Sequence, residues 1–221
     1  MAVLVYLESE ENKFKKTAYE ALSYGKALAD KMGVKVSVLV FNCSDTESLK
    51  KYGADKIIRI DNSDFQKFSS KKYSHALAEV IKSENSSVVI LSSSPDSKFL
   101  GAHLSGITDA SYVSNVVGIP ESISPFVIKR TCFTNKAFSS TEMIDGLKII
   151  SVSSNSFGMI ENFNDSTVES FNVDKVDSNQ KIIDIVKETG SVTITDADIV
   201  VSAGRGLKGP ENWEMIETLA D

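Results

Sequence analysis

The sequence predicts an α/β fold: a largely parallel sheet with helices on both faces. Two observations carry this. From residue 2 to about residue 109, short apolar runs of strand type alternate with stretches whose apolar residues recur every three or four positions. The runs are also apolar on both faces, as strands must be when helices cover each side of a parallel sheet. At 221 residues the chain is long enough to bury a substantial core, either as one large domain or as one domain with a smaller appendage.

Taken in order, "AVLVYL" at 2–7 is a first strand. Phe14, Ala18, Ala21, Leu22, Gly25, Leu28, Ala29 and Met32 then mark one face of a helix, and Gly33 is placed to end it with a positive φ. "VKVSVLVF" at 34–41 is a strand covered on both faces, which completes a βαβ unit. A short helix "DTESLKKYG", a strand "DKIIRI", a helix from about residue 71 to 85 and a buried strand "SVVILSSS" at 87–94 continue the alternation. Right-handed crossovers then place this as a Rossmann-like sheet, whose ligands bind beyond strand C-termini.

After about residue 109 the texture changes. "SYVSNVVGI", "FVIKRTCF", "KAFSSTEM" and "KIISVSSN" are separated by Pro120, Pro125, Asn135 and Gly146, with no helical period between the last three. They read as further, partly antiparallel, strands of the same sheet. Residues 155–195 are rich in serine and asparagine and read as a connecting arm, with "STVESFNV" and "KIIDIV" as weak extended segments. A second βα unit follows: strand "ADIVVSAG" at 197–204, turn "GRGLKG", and a helix "PENWEMIETLAD" with Pro210 at its first position. About 25 residues cannot bury their own apolar faces, and no terminating glycine or basic last turn closes the helix. The expectation is therefore a domain at 1–195 and the opening of a second at 196–221, with the natural polypeptide running on.

Composition narrows the function. The net charge of −6 argues against a phosphate-backbone binder, so nucleic acid is not an expected partner. The apolar runs are too short to insert in a bilayer, and "MAVLVYLESE" has no basic segment before its apolar stretch. A cytoplasmic protein is expected. Cys43 and Cys132 lack metal spacing and read as buried reduced thiols.

Gly204, Gly206 and Gly209 fit G-x-G-x-x-G between a strand and a helix. Backbone amides at such a turn favour an anion, and Arg205 adds a planar cationic fork suited to a diphosphate. The same glycines equally serve the geometry of a tight turn. At 92–98, "SSSPDSK" offers either a phosphate site or a simple helix cap through Ser94 or Asp96, with capping favoured. His75 and His103 share no metal or triad spacing and read as packing or surface residues. Glu8, Glu10 and Glu11 read as a solvated face. No motif for bond-making chemistry is present, so an enzyme is not expected.

The wording of the tail is more specific than its glycine spacing. "ADIVVSAGRGLKGPENWEMIETLAD" resembles the segment that opens the flavin-binding domain of the electron-transfer flavoprotein alpha-subunit family, written V-V-S-G-G-R-G-L with E-N-F or E-N-W after it. "VLVYLE", the G-x-K-V-x-x-L-V second strand, "YGADK", "FVIKRTCFTNKAFSS" and "KIISVSSNSF" look like the same family more loosely. The resemblance implies an adenine-nucleotide-hydrolase-like N-terminal sheet that packs against a beta subunit, and an FAD-binding C-terminal domain of which only the start lies here. It implies an electron carrier of fatty acid β-oxidation, fed by acyl-CoA and related dehydrogenases and discharged by an electron-transfer flavoprotein-quinone oxidoreductase. Arg205 matches the family arginine that contacts FAD, and Gly204 and Gly206 follow as backbone that admits the flavin; Ala203 stands where many relatives have glycine. Two other readings remain: a nucleotide-binding (ATP or AMP) enzyme of the same sheet family acting through residues 92–98, and a non-catalytic interaction module.

Overall fold

The computed structural model describes residues 1–176, 178, 182–186, 194, 197 and 199–221. The chain divides into two compact units, Met1–Lys181 and Ile182–Asp221. That division falls within the segment read as an arm.

The first unit is built on a ten-stranded sheet. β1 (Ala2–Tyr6) is followed by a small hairpin, β2 (Ser9–Glu10) and β3 (Lys13–Phe14), which the apolar pattern did not announce. Its turn places Glu11 and Asn12 at φ 49° and 62°, the double positive-φ geometry that matches strand twist. α1 (Lys16–Met32) ends at Gly33 with φ 67°, as the sequence predicts. β4 (Lys35–Phe41), the short α2 (Glu47–Lys50), β5 (Lys56–Ile60), α3 (Ser70–Glu84), β6 (Ser86–Leu91) and α4 (Pro95–Thr108) follow in the expected alternation. Then come β7 (Ser111–Val116), β8 (Ser122–Ile123), β9 (Phe126–Cys132), β10 (Ala137–Met143), β11 (Lys148–Val152) and β12 (Thr167–Ser170).

Across the sheet the strands run β10-β9-β7-β11-β6-β1-β4-β5-β12. Every pairing from β7 to β12 is parallel, while β9 is antiparallel to β7, β8 and β10. Period-two alternation sorts the central strands onto two cores. Val3, Val5, Val36, Val38 and Ile90 face α1 with Leu22 and Leu28, whereas Leu4, Tyr6, Leu39, Ile58 and Val89 face α3 and α4 with Leu77, Val80 and Leu100. β1 is the hinge of the topology. The chain proceeds from it to β4 and β5 on one side, and β6 lies on the other, so the crevice of a doubly wound sheet falls at the C-terminal ends of β1 and β6.

Several expectations are corrected in these elements. Cys43 is buried, but Cys132 is only half-buried at the end of β9, where its Sγ donates to the Ala137 carbonyl at 3.6 Å. In the second unit, no strand forms among the described residues of 197–204, and Ile199 is 85% exposed. A parallel strand satisfies its amides only against a neighbour, and the second unit has no other strand among its described residues. Of "KIIDIV", residues 182–186 carry no ladder and Lys181 lies outside the described residues. The final helix, α5 (Glu214–Ala220), begins later than the proline suggests, because Pro210–Asn212 forms a separate 3-10 turn.

Candidate functional site

The glycine-bearing turn of the second unit is built as two successive 3-10 turns, Arg205–Leu207 and Pro210–Asn212. The amides of Leu207 and Lys208 return to the carbonyls of Gly204 and Arg205 at 3.2 and 3.1 Å, and Asn212 Nδ2 donates to the Leu207 carbonyl at 2.8 Å. This bend borders a cavity of about 640 Å³, whose wall includes Gly204, Arg205, Lys208, Trp213 and Ile216. Arg205 and Gly204 are thus brought to one concavity, together with a second cation, Lys208. Trp213 supplies a half-exposed aromatic wall.

A Cβ added at Gly204 or Gly206 would meet nothing within 4 Å, so both positions leave the backbone open to close approach. The lining offers a diphosphate-bearing group a guanidinium, an ammonium and unshielded backbone, with an indole to lie against a ring, and sets one carboxylate, Glu217, against the two cations. The anion would be held by these cations and not by the start of α5, a helix of seven residues whose first turn carries Glu214 and Glu217. Lys208 and Trp213 are the contributors that motif reading missed. Their signal was proximity to Arg205 in sequence.

The crevice of the first unit is occupied by the chain itself. Ser94 caps α4, its Oγ accepting the Ser97 amide at 2.9 Å, with Pro95 in the first turn. Capping is therefore what residues 92–98 do. Glu8, just past β1, is not on a solvated face: its carboxylate accepts hydrogen bonds from the hydroxyls of both Ser94 and Ser97. A carboxylate thus fills the position at the start of α4 where a phosphate would otherwise be drawn by the helix dipole. Burial first, and the Glu8 charge second, raise the pKa of Asp96 from its ordinary value. Burial, with lesser contributions from Glu8 and Asp96, also pushes Tyr6 and Tyr73 upward. A phosphate brought here would meet two acidic groups, Glu8 and Asp96.

Glu20 was also missed. It is 4% exposed, and its carboxylate gathers the amides of Asn155, Phe157 and Gly158 at 2.8, 2.8 and 3.0 Å, pinning the loop after β11 onto α1. Its one sign in the sequence is a carboxylate set among Ala18, Ala21 and Leu22 on a buried face. His103 lies between α3 and α4, with Nδ1 3.0 Å from Ser74 Oγ, and His75 is half-buried on α3. Among the described residues no group of three or more His, Cys, Asp or Glu side chains is arranged to hold a metal ion, and no helix is long and apolar enough to cross a membrane.

The family profile of the electron transfer flavoprotein domain matches residues 3–176. The chain belongs to the electron transfer flavoprotein family. Similar proteins include the electron transfer flavoprotein subunit alpha of Bacillus subtilis (strain 168), 25% identical, with 99% of this chain and 69% of that protein covered. Protein FixB of Clostridium saccharobutylicum is 23% identical over 99% of this chain and 68% of its own length. The lactate dehydrogenase (NAD(+),ferredoxin) subunit LctC of Acetobacterium woodii is 20% identical over 99% of this chain and 54% of its own length. The profile covers all but the first residue of the first unit's ten-stranded sheet, so that sheet is the family's domain, and the alpha-subunit relatives, aligned over 99% of the chain, make it of the alpha type.

Proposed function

We propose that this electron transfer flavoprotein subunit is the alpha subunit of a heterodimeric, FAD-containing electron carrier and not a stand-alone enzyme. The observation that carries the reading is the bend at Gly204, Arg205 and Gly206, which brings two cations and an aromatic wall to one cavity in a chain of this family. FAD, when bound, supplies the chemistry of taking up and releasing electrons one or two at a time. The chain's own contribution is to hold and tune it. Arg205 and Lys208 offset the charge of the diphosphate or of a reduced ring, Gly204 and Gly206 allow backbone contact, and Trp213 excludes water from one side. Residues 196–221 are read as the opening of the flavin-binding region, and residues 1–195 as the domain that meets a beta subunit.

Donors are acyl-CoA and related dehydrogenases in this reading, and the acceptor is an electron-transfer flavoprotein-quinone oxidoreductase in fatty acid β-oxidation. A relative named as a lactate dehydrogenase subunit argues for including lactate-linked donors in any test. The carrier works in the cytoplasm, without membrane insertion. The decisive experiment is to express the complete reading frame with its beta subunit and to record flavin absorbance, then its bleaching by each reduced dehydrogenase. A stable complex containing flavin and reduced by at least one donor is expected. A stable complex without flavin, or one that no dehydrogenase reduces, would overturn the proposal.

A further inference from the structure

The outward side of α4 is an apolar strip with a charge at each end. Phe99 is 69% exposed, and Ala102 and Gly106 follow it at helical spacing, both exposed. Lys98 and Asp109 bound the strip, exposed and without an ion pair among the described residues. The other polar groups of the helix turn elsewhere. Asp96 acts on Tyr6 and Tyr73, and His103 meets Ser74 of α3 at 3.0 Å.

Two features of this strip have no cause inside the chain. At Gly101 a Cβ would lie 2.7 Å from the ring of Tyr112, so packing on β7 requires that glycine. At Gly106 a Cβ would meet nothing within 4 Å, and a glycine there only weakens the helix. The charges are also set against the helix dipole, with Lys98 near its start and Asp109 at its C-cap. An antiparallel helix laid on the strip removes both conflicts. Lys98 then lies beside the negative end of its neighbour and Asp109 beside the positive end, while Gly106 leaves room for a neighbour's side chain.

We infer that the outer face of α4 is an interface between two copies of this chain, packed antiparallel about a twofold axis. Phe99 of each copy stands against Gly106 of the other, and Lys98 against Asp109. The midpoints of these two pairings differ by one residue, about 1.5 Å along the helix, so a single axis near residue 103 serves both. A twofold interface requires that one strip carry both members of every pair, and this strip carries ring and gap, cation and anion. That self-complementarity selects a second copy as the occupant. One helix pair is small for an interface, so association in the micromolar range is expected. The inference goes beyond the electron-carrier reading and does not depend on a flavin.

The test uses the full chain with its beta subunit, in sedimentation velocity from about 1 to about 100 μM. The mass is expected to rise from one heterodimer to two. Gly106→Gln is expected to raise the melting temperature and yet weaken self-association about tenfold or more, a combination that a merely structural glycine would not give. Phe99→Asp and Lys98→Glu are expected to weaken it with melting unchanged. Should a variant disturb folding, cross-linking decides. Ala102→Cys in a Cys132→Ser background is expected to join two copies of this chain through a short bismaleimide, and Lys51→Cys, exposed beyond α2, is not. A complex that stays a single heterodimer throughout the range, or folded variants that associate like wild type, would overturn the inference. So would a cross-link from Ala102→Cys to the beta subunit, which would assign the face to that subunit. If no beta subunit binds, the heterodimer reading fails by itself, and the same measurements on the chain alone decide the self-pairing.

Discussion

Arg205 and Glu20 show how differently one side chain can act. Arg205 sits on an exposed bend with Lys208 beside it, so truncating it leaves the fold of the chain unchanged and alters only what the cavity attracts. Arg205→Ala in the complete heterodimer is expected to lower flavin content per protein or to shift the one-electron potentials, read by absorbance and redox titration. Flavin content and potentials both unchanged would remove Arg205 from the cofactor's surroundings. Glu20 is the reverse case. Its carboxylate satisfies three loop amides from within a buried helix face, and Glu20→Ala orphans all of them. A loss of about 3 kcal/mol is expected in urea unfolding, from buried donors left without partners. A loss below about 1 kcal/mol, the net worth of one ordinary hydrogen bond, would show that water takes over those amides.

At the scale of elements, the start of α4 combines opposing tendencies. A helix dipole favours Asp96 as a carboxylate in its first turn, yet burial and the neighbouring Glu8 raise its pKa above the ordinary 3.8. Because the folded chain holds the proton more tightly than the unfolded chain, the charged form costs stability above the folded pKa. That cost fades as pH falls toward the unfolded value. Asp96→Asn is therefore expected to raise the melting temperature at neutral pH, with the gain vanishing below the ordinary value. A gain that persists in acid would assign the effect to packing. The helix itself was legible from "SSSPDSK" because Ser-Pro-Asp is a local capping pattern. The role of Glu8 was not, since β1 and α4 are separated by 86 positions between Glu8 and Ser94 and meet only when β6 is laid beside β1.

For the whole molecule, the return of the chain to the far edge of the sheet is a long-range closure that lays Thr167 beside Lys56. β12 pairs with β5, and Lys56 ties it down by reaching both Glu84 on α3 and Glu169 on β12 at 2.9 and 2.8 Å. These two hydrogen-bonded carboxylates, Glu169 first, raise the Lys56 pKa. Lys56→Ala is expected to cost about 1 kcal/mol and to speed hydrogen exchange at Thr167 and Phe171, whose amides bond to Asp55 and Arg59. Unchanged exchange there would show that the backbone ladder alone holds β12. The sequence by itself determined most elements of the first unit, from the strand at 2–7 to the strands at 126–143, but neither the small hairpin β2–β3 nor the two-residue β8. It also determined the family, because apolar periodicity, capping residues and the arginine-bearing motif are local properties of the chain. Only the tertiary structure decided the order of the strands, the unlike edges of the sheet, the carboxylate filling the sheet's crevice and the lack of a strand among the described residues of 197–204. Each of these depends on which distant segment supplies a hydrogen-bond partner, and local pattern carries no record of that partner.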